Sequence, residues 1–89
     1  MHLHVVVRGR VQGVGFRWFV REAARALGVA GWVRNHPDGS VEVAATGEEA
    51  AIRSLRMALA TGPTEASIAT VDDIGTVVDD LPIPFSVRR

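Results

Sequence analysis

A nine-residue run near the start, GRVQGVGFR from Gly9 to Arg17, gathers three kinds of group that attract a small anion. Gly13 and Gly15 allow a compact turn without Cβ crowding, and consecutive N–H groups in such a turn form a concave nest. A helical pattern begins at Phe16, so the partial positive charge of a helix start falls at the same place. Arg17 adds a guanidinium able to grip two oxygens at once. A terminal phosphate suits this combination better than a neutral ligand.

Two common nucleotide-binding patterns do not fit. A dinucleotide fingerprint would need glycine where Trp18 stands, and a Walker loop would need Gly-Lys-Ser/Thr in a chain that has no lysine. On the residues alone, a tight turn beside a solvated first-turn arginine explains the segment equally well.

These groups need elements to hold them, and hydrophobic periodicity supplies a plan. LHVVVRGR reads as a strand with Leu3, Val5 and Val7 on one face and His4, Val6 and Arg8 on the other. From Phe16 the apolar spacing becomes three and four, through Phe19 or Val20, Ala23 and Leu27, with Gly28 as the stop. AGWVRNH reads as a second strand, and the turn chemistry of HPDG leads into the alternating SVEVAAT, which makes a hairpin. Thr46 with Glu49 fits a capping box for a second helix that buries Ile52, Leu55 and Leu59 and ends at Gly62-Pro63. Residues 67 to 78 read as a fourth strand interrupted by Asp72, Asp73 and Gly75, and Phe85-Ser86-Val87 as a short fifth after the turn around Pro82 and Pro84. The order βαββαβ predicts a ferredoxin-like α+β fold, with two helices on one face of an antiparallel sheet of four to five strands.

GRVQGVGFR followed by GWVRN (Gly31 to Asn35) resembles the acylphosphatase signature, GxVQGVxFR and then, one helix later, Gly-aromatic-x-x-Asn. The resemblance extends to the Asn35–Gly39 hairpin, the Gly62-Pro63 helix end and the final Phe-x-Val-Arg, and so covers nearly the whole chain as one domain, residues 1–89. Residues 64 to 84 depart from it, VDDIGTVVDD being more acidic and more broken than the family's fourth strand. The resemblance implies an acylphosphatase that cleaves carboxyl-phosphate anhydrides without metal or cofactor. Arg17 would bind the phosphoryl group, backbone amides of Gln12, Gly13, Val14, Gly15 and Phe16 would cradle its oxygens, and Asn35 would orient the attacking water. It also implies a small-molecule acyl phosphate as substrate, and inorganic phosphate or sulfate as a product-like ligand.

That chemistry is self-consistent. A carboxylate departs readily without protonation, so no general acid is needed. Phosphoryl transfer spreads charge over the equatorial oxygens, so position and fixed donors do most of the work. A neutral Asn is no base, yet its amide can hold water in line with the P–O bond. Neither segment contains a Cys, Ser, His or carboxylate to serve as nucleophile, which direct attack by water allows.

Other residues point less clearly to chemistry. His2 and His4 share a strand face but lack a third metal ligand, so no metal site is expected. Trp18 and Trp32 read as packing or a partly exposed rim. Asp72, Asp73, Asp79 and Asp80 lack calcium-loop spacing and read as a solvated edge that discourages aggregation.

With 89 residues the chain holds one core, and 47% hydrophobic with 22% charged residues is the balance of a folded domain. Residues 1 to 36 hold six Arg and one acid, residues 37 to 89 four Arg and nine acids. The basic half can attract a small anion, while zero formal net charge argues against nucleic acid as a partner. Cysteine is absent, no apolar run reaches a membrane span, and the start lacks the order of a signal peptide. A cytoplasmic monomer without a membrane partner is expected. Two competing classes are a non-catalytic module, like the acylphosphatase-like start of a larger carbamoyl-transfer protein, and a ferredoxin-like RNA-binding domain. The first would continue into cysteine-rich zinc motifs, and the second would show aromatics on adjacent central strands.

Overall fold

The computed structural model describes residues 1–88. Its elements run β1 (His2–Arg10), α1 (Phe16–Leu27), β2 (Ala30–Asn35), β3 (Val41–Thr46), α2 (Glu49–Thr61), β4 (Ser67–Asp73) and β5 (Ser86–Arg88). The five strands form one sheet in the order β4-β1-β3-β2-β5. This is the expected ferredoxin-like α+β architecture. All pairings are antiparallel except that β5 joins β2 in parallel, which makes the sheet mixed at that edge.

Strand alternation decides where the core sits. Leu3, Val5 and Val7 of β1, Val33 of β2, and Val41, Val43 and Ala45 of β3 are buried on the face that carries the helices. Phe16, Val20 and Ala24 of α1 and Ile52, Leu55 and Leu59 of α2 close over them. Each of the larger of these side chains, the alanines apart, contributes roughly 1.5–3 kcal/mol on burial. The α1 stripe therefore runs strictly at i, i+4, with Phe19, Ala23 and Leu27 only half-buried on its flank.

Three local expectations are corrected. The Thr46–Glu49 capping box does not form: Thr46 ends β3 opposite His2, its hydroxyl donates to Met1 O at 3.2 Å, and α2 starts from Glu48 with no side-chain cap. Sheet pairing has taken the residue that local sequence assigned to the helix. The fourth strand stops at Asp73 rather than running to 78: Ile74 N–H still donates to His4 O, and the chain then turns away through Gly75 in the left-handed region. The fifth strand is Ser86–Arg88, with Phe85 buried in the core just before it. Gly28 ends α1 as expected, in the left-handed conformation at φ 70°.

The topology also determines which ends meet. Both β1 and β2 run antiparallel to β3, so they are parallel to each other, and β5 follows β2. The C-terminal ends of β1, β2 and β5 consequently lie at one end of the sheet, where the β1–α1 loop and the start of α1 also lie.

Candidate active site

Val11 to Gly15 form the loop that crosses this end of the sheet. Gly13 and Gly15 adopt φ 73° and 76°, the left-handed region in which an L side chain is strained. Apart from the adjoining residues of the chain, no atom of the described residues lies within 4 Å of a Cβ built on either glycine. The protein's own need for glycine here is thus conformational, and the space outside the loop is open. Gly15 is the N-cap of α1, whose first turn contains no acidic residue to neutralise its positive end. Among the described residues, no acceptor takes a hydrogen bond from the N–H groups of Gln12 to Phe16; the first helical bond is Phe19 N–H to Gly15 O at 2.9 Å.

A cavity of about 200 Å³ opens over these amides, lined by Val11, Gln12, Gly13, Gly15, Phe16, Arg17, Trp18 and Asn35. Arg17 is half-buried and makes no hydrogen bond or ion pair with a described residue. Asn35, the last residue of β2, faces the same cavity, and its Oδ1 is buried without a donor among the described residues. Alternation from the core residue Val33 puts Asn35 on the helix side of the sheet, the side from which Arg17 enters.

Of the loop residues singled out from the sequence, Val14 alone does not line the cavity; its side chain packs against the core. Val11 and Trp18 line the cavity although their types offered no chemical signal, Val11 as a buried wall and Trp18 as an exposed rim. The side chain of Gln12 has a task that sequence reasoning missed. Its Nε2 donates to His36 O at 2.7 Å and to Ser40 O at 2.9 Å, and so ties the loop to the β2–β3 hairpin beside Asn35. A lone long carboxamide within a glycine-rich turn was the available clue.

The hairpin is itself braced. Asp38 Oδ1 accepts from Ser40 N–H at 2.9 Å and from Ser40 Oγ at 2.6 Å. These bonds hold the Asp38 carboxyl down at about 2, with Arg8 adding to the effect.

On the opposite face of the sheet lies a second polar group, distinct from the cavity. Glu42 is only 7% exposed. It accepts from His4 Nε2 at 2.5 Å, His36 Nε2 at 2.7 Å and Arg34 Nε at 2.9 Å. Burial pushes its carboxyl up, but those three hydrogen bonds prevail and hold it at about 2. The other ring nitrogen of His4 lies 3.1 Å from Thr76 O, so both nitrogens are engaged within the protein. Trp32 is 5% exposed, with the Arg34 and Arg88 guanidinium groups 5.1 and 5.0 Å from its ring centre. It is covered and offers no free face for a base to stack on.

Amides and a guanidinium without partners among the described residues meet a helix start around one small cavity on a ferredoxin-like sheet, an arrangement suited to a small anion. The chain belongs to the acylphosphatase family, whose model, described as Acylphosphatase, matches residues 3–82. It is 49% identical over 88 residues to an acylphosphatase of Bifidobacterium longum, covering 97% of this chain and 90% of that one. The solved acylphosphatase from Coxiella burnetii superposes with a TM-score of 0.88 at 42% identity, over 98% of this chain and 90% of that chain. HypF of T. kodakarensis matches at a TM-score of 0.85 and 28% identity over 100% of this chain, but this covers 12% of HypF. Family membership supports hydrolysis of acyl phosphates, with a small-molecule acyl phosphate as substrate.

Proposed function

We propose that the chain acts as a single catalytic domain that hydrolyses acyl phosphates by in-line attack of water on a phosphoryl group seated in the β1–α1 cavity. The observation that carries this reading is the meeting of two sets of groups around about 200 Å³: donors without acceptors among the described residues, in Arg17 and the loop amides, and the side-chain carboxamide of Asn35. A phosphoryl dianion satisfies the first set. The Asn35 carboxamide can hold the water, and a water hydrogen-bonded to it keeps a lone pair free to face phosphorus.

In this mechanism the water oxygen forms a bond to phosphorus as the bond from phosphorus to the acyl oxygen breaks. The carboxylate leaves with the electron pair, and the proton of the water passes to a phosphoryl oxygen. Arg17 and the amides of Gln12 to Phe16 stabilise the charge spread over the equatorial oxygens. No covalent enzyme intermediate is required. The cavity lining offers no carboxylate, imidazole or thiolate, the donors a catalytic metal would use, and the charge at the site comes from Arg17 and main-chain dipoles. We therefore assign a metal-independent reaction to a monomer in the cytoplasm, where a chain without cysteine loses nothing to reducing conditions.

Incubation with acetyl or benzoyl phosphate in the presence of a chelator tests the assignment directly. Wild type should release phosphate, and Arg17→Ala should lower turnover by at least about 10²–10³-fold, the loss typical of removing a charge-stabilising donor. Hydrolysis that stops on chelation, or that survives removal of Arg17, would refute it.

A further inference from the structure

We infer that a shallow recess bounded by Arg17, Trp18, Arg21 and Val87 is the acyl-group subsite, and that it selects acyl phosphates with a flat, apolar acyl body. This rests on the reading that the β1–α1 cavity holds the phosphoryl group.

The recess, about 350 Å³, shares Arg17 and Trp18 with that cavity but does not include Asn35. In-line displacement places the leaving group across phosphorus from the attacking water. With water held at Asn35, the acyl oxygen must depart toward a wall remote from it, and Arg17 with Trp18 is the wall that leads into a second space. Topology brings the other side of the recess to the same place. Val87 pairs with Val33 on the helix side of the parallel β2–β5 edge, and Arg25 Nε of α1 donates to Phe85 O at 2.9 Å, which fastens the last strand against the helix.

The surfaces on offer decide the ligand class. Trp18 is 62% exposed, and yet it is held in place. The Arg21 guanidinium sits 4.5 Å from its ring centre, and Arg21 NH1 donates to Glu22 Oε2 at 2.6 Å. Arg21 is thereby neutralised by Glu22 and stacked on the indole, so it braces the tryptophan rather than waiting for a second anion. Val87, 36% exposed, supplies an apolar side opposite. A planar hydrocarbon such as a benzoyl ring offers apolar surface for both side chains to cover, and an acetyl group offers much less.

Benzoyl, acetyl and succinyl phosphate are the probes, each kcat/KM being divided by the uncatalysed rate. Wild type should favour benzoyl over acetyl phosphate by at least about tenfold, the range that apolar pocket contacts give. Val87→Trp, which fills the recess from an exposed edge position, should abolish most of that preference while leaving acetyl phosphate hydrolysis and competitive inhibition by inorganic phosphate within about twofold. Arg21→Ala, which frees the Trp18 ring, should reduce the preference in the same direction and does not depend on how the edge strand tolerates tryptophan. Activity toward acetyl phosphate reports that each variant is folded. A parallel change for both substrates, or none, would overturn the subsite while leaving the phosphoryl site standing. A preference for succinyl over benzoyl phosphate that Arg21→Ala removes would overturn the apolar assignment. Wild type inert toward all three would refute the underlying hydrolase reading, and the subsite with it.

Discussion

At the scale of single residues, Asn35 and Arg17 face one cavity with opposite deficits. The buried Oδ1 of Asn35 has no donor among the described residues, a state that costs about 1–3 kcal/mol. If the Asn35 carboxamide holds the attacking water, the interaction matters for alignment during reaction and little for holding substrate. Asn35→Ala is therefore expected to lower kcat by about 10²-fold while KM stays within about threefold, since misplacing a reactant costs rate rather than affinity. Steady-state kinetics with acetyl phosphate check this; a rise in KM with unchanged kcat would make Asn35 a binding residue instead. Arg17 is the converse case. Its guanidinium has no partner among the described residues, so it meets the phosphoryl group fully available, and its removal should lower kcat and raise KM.

At the scale of elements, the β1–α1 loop and the β2–β3 hairpin are separate in sequence and joined by one side chain. Gln12 Nε2 bonds His36 O and Ser40 O. Both carbonyls keep another partner, since Gly39 N–H donates to His36 O at 3.1 Å and His36 N–H donates to Ser40 O at 2.9 Å. Loss of the clamp therefore leaves no orphaned acceptor, and Gln12→Ala should destabilise by only about 1–3 kcal/mol, two net hydrogen bonds. It should raise KM by loosening the loop amides that meet the phosphate. Urea unfolding and phosphate inhibition of the same variant read the two effects separately. This clamp also marks the limit of what the sequence made legible. The loop itself could be read because glycine, a helix start and arginine are neighbours along the chain, and α1 and the hairpin because their periodicity and turn chemistry are local. The clamp spans separations of 24 and 28 residues and depends on strand register, which no local pattern records. Thr46 failed as a cap for the same reason: the ladder with β1 outcompeted a local side-chain bond.

At the scale of the whole molecule, the sheet separates two polar systems, the anion cavity at the end of its helix face and the Glu42 cluster on the other face. His4 from β1, Arg34 from β2 and His36 just after it converge on a carboxylate from β3, so the cluster joins three strands that pattern reasoning treats one at a time. Glu42 is held at about 2 against an ordinary 4.5, which means that the folded protein binds its proton less readily than the unfolded chain. As pH falls below about 4.5 the unfolded state takes up that proton first, so the stabilisation is complete above this value and disappears as pH approaches 2. Its size is on the order of 3 kcal/mol, from about 1.4 kcal/mol per pH unit of depression. Glu42→Gln removes the charge but nearly preserves shape. The variant should be less stable than wild type at neutral pH, where it leaves Arg34 without its counter-charge, and the gap should close as pH falls from about 4.5 to 2. Asp38, also held low, titrates in both proteins and so cancels from the difference. Urea midpoints measured every half unit across that range distinguish this from a packing defect, which would keep the two curves parallel, and only convergence assigns the acid limb of stability to the network that fastens β1, β2 and β3 together.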